Sequence, residues 1–223
     1  MRDLVIYGAG WPDTVKIIAA INRRQPSWNI LGVLDDTPGR AGESFMGFEI
    51  LGGHDQLERL TNEKTSFINN VASTTTSRAK VNALLENHGC DLATLVHPTA
   101  DQTFTDIGHN VLIADGTVLG ADVVIRDHCV IRPNALVAHD GILSKNVFIG
   151  PGATLCGHSV VAEGAYIGAG STIIEHISIG AGCTVGAGAV VVEDVPPGTT
   201  VVGIPARPVS LGGTPVRGGE LGD

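Results

Sequence analysis

From Ile107 to Val191 every sixth residue is Ile, Leu or Val, and the register does not slip once in fifteen positions. Those positions read Ile107, Ile113, Leu119, Ile125, Ile131, Val137, Leu143, Ile149, Leu155, Val161, Ile167, Ile173, Ile179, Val185 and Val191. A fixed short period marks a repeat architecture. Neither a 3.6-residue helical period nor an alternating amphipathic strand produces it. The residue after each aliphatic is mostly small, as at Gly108, Gly120, Gly150 and Gly168, and the fifth residue of each hexad is compact, as at Val111, Cys129, Ala153 and Ser171. This pattern fits a short strand with one inward anchor, a tight corner, and another short strand. Three such sides close a triangular coil of eighteen residues, so fifteen hexads give five coils. Parallel strands of successive coils stack about 4.8 Å apart, and each coil touches only its neighbours.

The first hundred residues follow another pattern. Leu4–Tyr7 reads as a buried strand, followed by Gly8-Ala9-Gly10 and a helix from Pro12 or Asp13 to about Arg24. Ile30–Leu34 is a second strand that ends on Asp35-Asp36, and Phe48–Ile50 and Ser66–Asn70 are short strands. A helix over 76–87 and a last strand over Leu92–Val96 lead to His97-Pro98. Strands alternating with helices imply a small Rossmann-like parallel α/β domain. The turn Gly8-Ala9-Gly10 is an incomplete dinucleotide fingerprint, because Asp13 stands where its third glycine would fall. The expected organisation is an α/β domain at 1–98, a parallel β-helix at 99–209 and a flexible tail at 210–223.

A formal net charge of −9 argues against a nucleic-acid partner held by bulk charge. No apolar run reaches membrane-spanning length, and no signal peptide is visible. The four cysteines, Cys90, Cys129, Cys156 and Cys183, form no CxxC. The simplest reading is a reduced, cytoplasmic protein.

Eighteen-residue spacing turns the repeat into coordinates. One corner column reads Asp122, Asp140, His158, His176, Asp194, and its neighbour reads Ala121, His139, Gly157, Glu175, Glu193. His139-Asp140 therefore falls at a corner, with Gly157 one coil along. Acyl transfer from a thioester needs a base, a group that orients it, and a donor for the tetrahedral oxyanion. Histidine titrates near neutrality and suits the first role. Asp140 could orient it, and the Gly157 amide could serve as donor because glycine lets a ligand approach the chain. Arg132, in the coil below His139, is a candidate contact for substrate phosphate or hydroxyls.

The α/β domain, His97-Pro98, the hexads and the closing Val202-Gly203-Ile204-Pro205-Ala206 together resemble bacterial hexapeptide-repeat nucleotide-sugar acetyltransferases, over about residues 3 to 208. These include sialic acid O-acetyltransferase-like proteins and the UDP-amino-sugar and GDP-perosamine N-acetyltransferases. The resemblance implies a left-handed β-helix and acetyl-CoA as co-substrate, with no metal. It implies His139 as general base, followed by Asp140, with Gly157 one coil on. It implies that the N-terminal domain holds the nucleotide through Gly8, Gly10, Asp35 and Asp36. Where the family often continues its loop as Gly-Gly-His, this chain has Gly10-Trp11-Pro12, and Trp11 could stack on a base. A second family histidine would fall at Phe148. Coenzyme A would lie in a cleft between subunits of a homotrimer, lined by Gly157, Ala169, Ala187, Gly203 and Arg207.

The favoured expectation is N-acetylation of a nucleotide-linked amino sugar in bacterial surface-glycan synthesis. Sugar O-acetylation is the alternative, and the sequence does not name the sugar, the nucleotide or the acyl chain beyond acetyl. A zinc enzyme of the β-helix carbonic anhydrase type is the alternative of another class; His158 and His176 share a column, but the sequence shows no third ligand.

Overall fold

A computed structural model describes residues 1–71, 74–211 and 214–215. It divides into two compact units, Met1–Pro98 with His109–Ala114, and Thr99–Gly108 with Asp115–Asp223.

The first unit is built on β1 (Arg2–Tyr7), whose Leu4, Val5, Ile6 and Tyr7 are buried. It runs parallel between β2 (Trp28–Leu34) and β5 (Thr65–Asn69). Further out, β3 (Ser44–Phe45) and β4 (Phe48–Gly52) lie beyond β2, and β6 (Asp91–Leu92) beyond β5, giving the order β3-β4-β2-β1-β5-β6. Only β3 is antiparallel to its neighbour among these. Helix α1 (Asp13–Arg24) follows β1; Asp13 in its first turn and Arg23 and Arg24 in its last match the helix dipole. A short helix, α2 (Leu57–Leu60), precedes β5, and α3 (Thr75–Asn87) follows it. Thr74 caps α3 by accepting from the Ser77 amide at 3.0 Å.

Sequence reasoning places one strand over Leu92–Val96. The structure splits it: Leu92 ends β6 against β5, while β7 (Leu95–Val96) turns to pair with Leu112–Ile113. Helix α3 also departs from an ordinary apolar stripe. Ala79 is exposed, and the helix buries Arg78 and Asn82 with Leu85. The Arg78 guanidinium donates to the Asn69 carbonyl at 2.7 Å, and Asn69 donates to the side chain of Asn82, also at 2.7 Å. This side of the core is held by a polar network rather than by area alone.

The second unit is a three-sided parallel β-helix. One side stacks the strands that begin at Val118, Leu136, Thr154, Thr172 and Val190; another stacks those that begin at Thr105, Val123, Ile142, Val160 and Ser178. The third carries Val130–Ile131, Phe148–Ile149, Tyr166–Ile167 and Thr184–Val185, and ends on Thr199–Val202. Pairing is in register at eighteen residues, as in Leu136↔Thr154 and Val137↔Leu155. Thirteen of the fifteen register aliphatics are at most 2% exposed, whereas Ile107 and Leu119 are half-buried. At roughly 1.5 to 3 kcal/mol for each buried aliphatic, this column of anchors is the main source of the prism's stability.

The corners turn through left-handed backbone. Gly116, Asn134, Gly152, Gly170 and Gly188 form one column with φ near 60°, and Asn110, His128, Asn146, Gly164 and Gly182 form a second. The third is Phe104, Asp122, Asp140, His158 and His176, with φ from 56° to 61°. For a residue with a Cβ this conformation costs roughly 1 to 2 kcal/mol.

The expected tail from residue 210 is partly strand: Arg207–Leu211 pairs antiparallel with Thr199–Val202, and Ser210 and Leu211 pair with Thr214–Pro215. Residues 212–213 and 216–223 lie outside the described residues.

Candidate active site

The corner at residues 139–140 brings the expected acyl-transfer groups together. Nδ1 of His139 lies 2.8 Å from Oδ2 of Asp140. A carboxylate only accepts, so Nδ1 carries the proton and Nε2 is left as the basic nitrogen. Both side chains are largely solvent-accessible, at 60% and 45%. The hydrogen bond from His139 holds the Asp140 carboxyl below the usual carboxylate range, with the charge of His158 adding to the effect.

Gly157 sits against the imidazole. A Cβ built on it would lie 2.7 Å from both Cε1 and Nε2 of His139, so any side chain there would displace the ring. The Gly157 carbonyl accepts from the His176 amide at 3.1 Å, but the Gly157 N–H donates to no group among the described residues. A free amide beside the basic nitrogen is what an oxyanion donor requires.

Two more imidazoles continue the column. His158 lies edge-on to His139, with ring centroids 5.1 Å apart, and His176 stacks on His158 at 4.7 Å. Nδ1 of His158 is 3.8 Å from Oδ2 of Asp140. Donor atoms of His139, Asp140 and His158 thus fall within 4.8 Å of one another, a grouping that does not include His176 and so differs from the His158–His176 pair read from the sequence. The set is exposed on all three members and leaves His139 already bonded to Asp140. At the place of the second family histidine, Phe148 is 5% exposed and stacks on Tyr166 at 4.6 Å.

Arg132, the expected contact for substrate phosphate or hydroxyls, is buried at 7% exposure. Ala169 and Ala187 are exposed at the glycine-rich corner of Gly170 and Gly188, not at the corner of His139. Gly203 adjoins them, accepting from the Val190 amide at 3.0 Å, and Arg207 is exposed in the closing hairpin. These four form a ridge of their own within one chain, separated from Gly157 by a side of the prism.

In the α/β unit, the carboxyl ends of β1, β2 and β5 surround a cleft of about 460 Å³ lined by Gly8, Ala9, Gly10, Trp11, Asp35, Thr37, Arg40, Asn70 and Val71. Strand order reverses between β1 and β5, the place where open α/β sheets hold ligands. Gly8 is needed sterically: its φ is +107° and a Cβ would meet Val71 Cγ2 at 2.8 Å. Gly10 faces open space. Asp35 accepts from the amides of Ala9 at 2.9 Å and Thr37 at 3.0 Å and pairs with Arg40 at 3.2 Å. Burial raises its carboxyl, and these hydrogen bonds outweigh the rise, so it lies below the ordinary range.

Asp36 accepts from the Tyr7 hydroxyl and from the backbone amide and Nδ1 of His54, at 2.8 and 2.9 Å. Burial raises it too, and the bonds from Tyr7 and His54 bring it down. The same pairing raises His54, while burial first and Asp36 second push the Tyr7 phenol far above its ordinary value.

Sequence reasoning misses Asn70, Arg40 and the Tyr7–Asp36–His54 chain. Asn70 is 1% exposed; it donates to the carbonyls of Gly8 at 2.8 Å and Trp11 at 3.1 Å and accepts from the Thr14 hydroxyl at 2.5 Å. It fixes the shape of the glycine loop. The signal available was a polar pair, Asn69-Asn70, closing an otherwise buried strand.

A family model described as bacterial transferase hexapeptide (six repeats) matches residues 104–139 and 141–175. Repeat and corner together define a hexapeptide-repeat acyltransferase. Among solved structures the chain is similar to PerB from Caulobacter crescentus, solved with CoA and GDP-perosamine, at 27% identity over 94% of this chain and 98% of that one, with a TM-score of 0.85. It is similar to the acetyltransferase domain of PglB from Neisseria gonorrhoeae FA1090 at 30% identity over 93% and 100% of the two chains (TM-score 0.83), and to WeeI from Acinetobacter baumannii AYE at 25% over 93% and 100% (TM-score 0.80). The chain belongs to the nucleotide-sugar acetyltransferase family and has its left-handed parallel β-helix. No curated protein sequence matches it.

Proposed function

We propose that this enzyme transfers the acetyl group of acetyl-CoA to the amino group of a nucleotide-linked amino sugar. The observation that carries the reading is the contact between Gly157 and His139, with the imidazole bonded to Asp140 on its far side. The C. crescentus relative, solved with CoA and GDP-perosamine, and the N. gonorrhoeae domain, solved with acetyl coenzyme A, support the two substrates. Variants of the former in which one histidine is asparagine or alanine have also been solved with both ligands.

In this mechanism the neutral amine attacks the thioester carbonyl. His139 Nε2 accepts the proton the amine loses, Asp140 holds the imidazolium, and the Gly157 N–H faces the oxyanion. The C–S bond then breaks, the proton passes to the departing thiolate, and the products are the acetamido sugar and CoA. The α/β cleft of Gly8, Gly10, Trp11, Asp35 and Asn70 holds the nucleotide, with Asp36 bracing its wall through Tyr7 and His54. The ridge of Ala169, Ala187, Gly203 and Arg207 meets coenzyme A across the boundary with a second copy, because one chain does not carry it to His139. This is the reason to assign a homotrimer. No helix among the described residues is long and apolar enough to cross a membrane, and all four cysteines are free, which supports a cytoplasmic setting.

The test is direct assay with acetyl-CoA and a panel of UDP-, GDP- and CMP-linked amino sugars and their hydroxyl counterparts. Acetylation of an amine substrate supports the reading. Turnover only of hydroxyl acceptors would replace it with O-acetylation.

A further inference from the structure

The three corners of the prism are unequal. Two are populated by Gly and Asn, with His128 the single exception, as left-handed backbone favours. The third holds Phe104, Asp122, Asp140, His158 and His176 and contains neither Gly nor Asn. Asp and His tolerate this conformation moderately well; a bulky aromatic there is an outlier. Phe104 has φ +58°, and its amide neighbour across the coil, Asp122, donates to its carbonyl at 2.8 Å, so the backbone is fixed by the repeat whatever the side chain. Within the single chain the phenyl group is 78% exposed, so contacts inside the chain do not offset its conformational cost. Local physics favours asparagine at this position, and the chain keeps phenylalanine.

Its place supplies a reason. Phe104 stands at the end of the column that carries Asp140, two coils or about 10 Å below it. Gly157, whose amide faces the thioester oxygen, lies one coil above. With Gly157 assigned to the donor, the side of His139 toward Phe104 is the one this reading gives to the acceptor. A sugar joined through a diphosphate to a nucleoside is long enough to reach from His139 past two coils. It offers ring faces that rest well on an exposed phenyl group.

We propose that Phe104 is the platform on which a ring of the nucleotide-sugar acceptor lies while its amine is at His139; this rests on the acetyltransferase reading above. The test is Phe104→Asn, which keeps the left-handed corner and relieves it. The expected result is a Tm equal to or above that of the parent. The KM for the acceptor should rise about fivefold or more, with kcat and the KM for acetyl-CoA unchanged within about twofold. Phe104→Tyr should restore the parent KM. An unchanged acceptor KM in Phe104→Asn overturns the proposal. So does a change of oligomeric state in sedimentation, which would make Phe104 a contact between copies. If the parent enzyme acetylates no nucleotide-linked amino sugar, the functional reading itself falls and takes this inference with it; an active parent with an indifferent Phe104→Asn sinks the inference alone.

Discussion

A methyl group on Gly157 would lie 2.7 Å from Nε2 of His139. Gly157, one coil along from His139, therefore limits where the imidazole can rest, and its own N–H donates to no group among the described residues. In the proposed mechanism, placement of the base and stabilisation of the oxyanion would depend on this one glycine.

Gly157→Ala should accordingly reduce kcat by about tenfold to a hundredfold, the scale of a misplaced catalytic group. Its Tm should stay close to that of the parent, because the atoms that must move are the far end of an exposed side chain. Steady-state kinetics beside a thermal melt check both halves; parental kcat would show that the ring tolerates displacement.

His139→Asn removes the basic nitrogen while retaining a polar side chain of similar reach. A loss of about 10²- to 10⁴-fold in kcat is expected, with acetyl-CoA binding by calorimetry intact. Undiminished turnover would remove His139 from the role of base.

Asn70→Ala should destabilise the α/β unit by about 2 to 4 kcal/mol, because it strips a partner from the buried Gly8 carbonyl and Thr14 hydroxyl and from the half-buried Trp11 carbonyl. Nucleotide-sugar affinity should fall with it, while acetyl-CoA binding is retained. Chemical denaturation and calorimetry read the two effects separately.

The Tyr7–Asp36–His54 chain gives a pH signature. Asp36 is held below its ordinary value, so its contribution is present above about pH 3.9 and is lost as pH falls through the lowered folded value. His54 is raised, so its contribution is complete below about pH 6.5 and is lost as pH rises through the raised folded value. The Tm difference between the parent and His54→Ala should peak between about pH 4 and 6.5 and shrink on both sides. It should be small, since the His54 side chain is 64% exposed and the pair is screened. A difference independent of pH would dissociate the ion pair from stability.

Extended dialysis against EDTA should leave acetyl transfer unchanged. Activity lost to the chelator and restored by zinc would favour a metal held by His139, Asp140 and His158 instead.

The prism and its active corner were legible because a six-residue register is enforced by burial: one slip would expose an anchor, so the pattern persists through all fifteen hexads and assigns His139, Asp140 and Gly157 to neighbouring rungs. What the register does not encode is direction and depth for side chains off the anchor positions. Arg132 looks like a surface cation in sequence and is buried. The α/β cleft was legible only as strand, glycine turn and acidic pair. Asn70 and His54 act through contacts 62 and 18 residues away in sequence, to Gly8 and Asp36, which no local pattern announces.

The corner columns have a last consequence. Because each rung repeats the backbone of the one below, the His-Asp pair could be written at residues 121–122 as readily as at 139–140, with glycine then needed at 139. Such a shift would move the pair by one step of about 4.8 Å along the axis. The β-helix thus acts as a ruler: a side chain carried on one of its corners can be moved along the axis only in whole graduations.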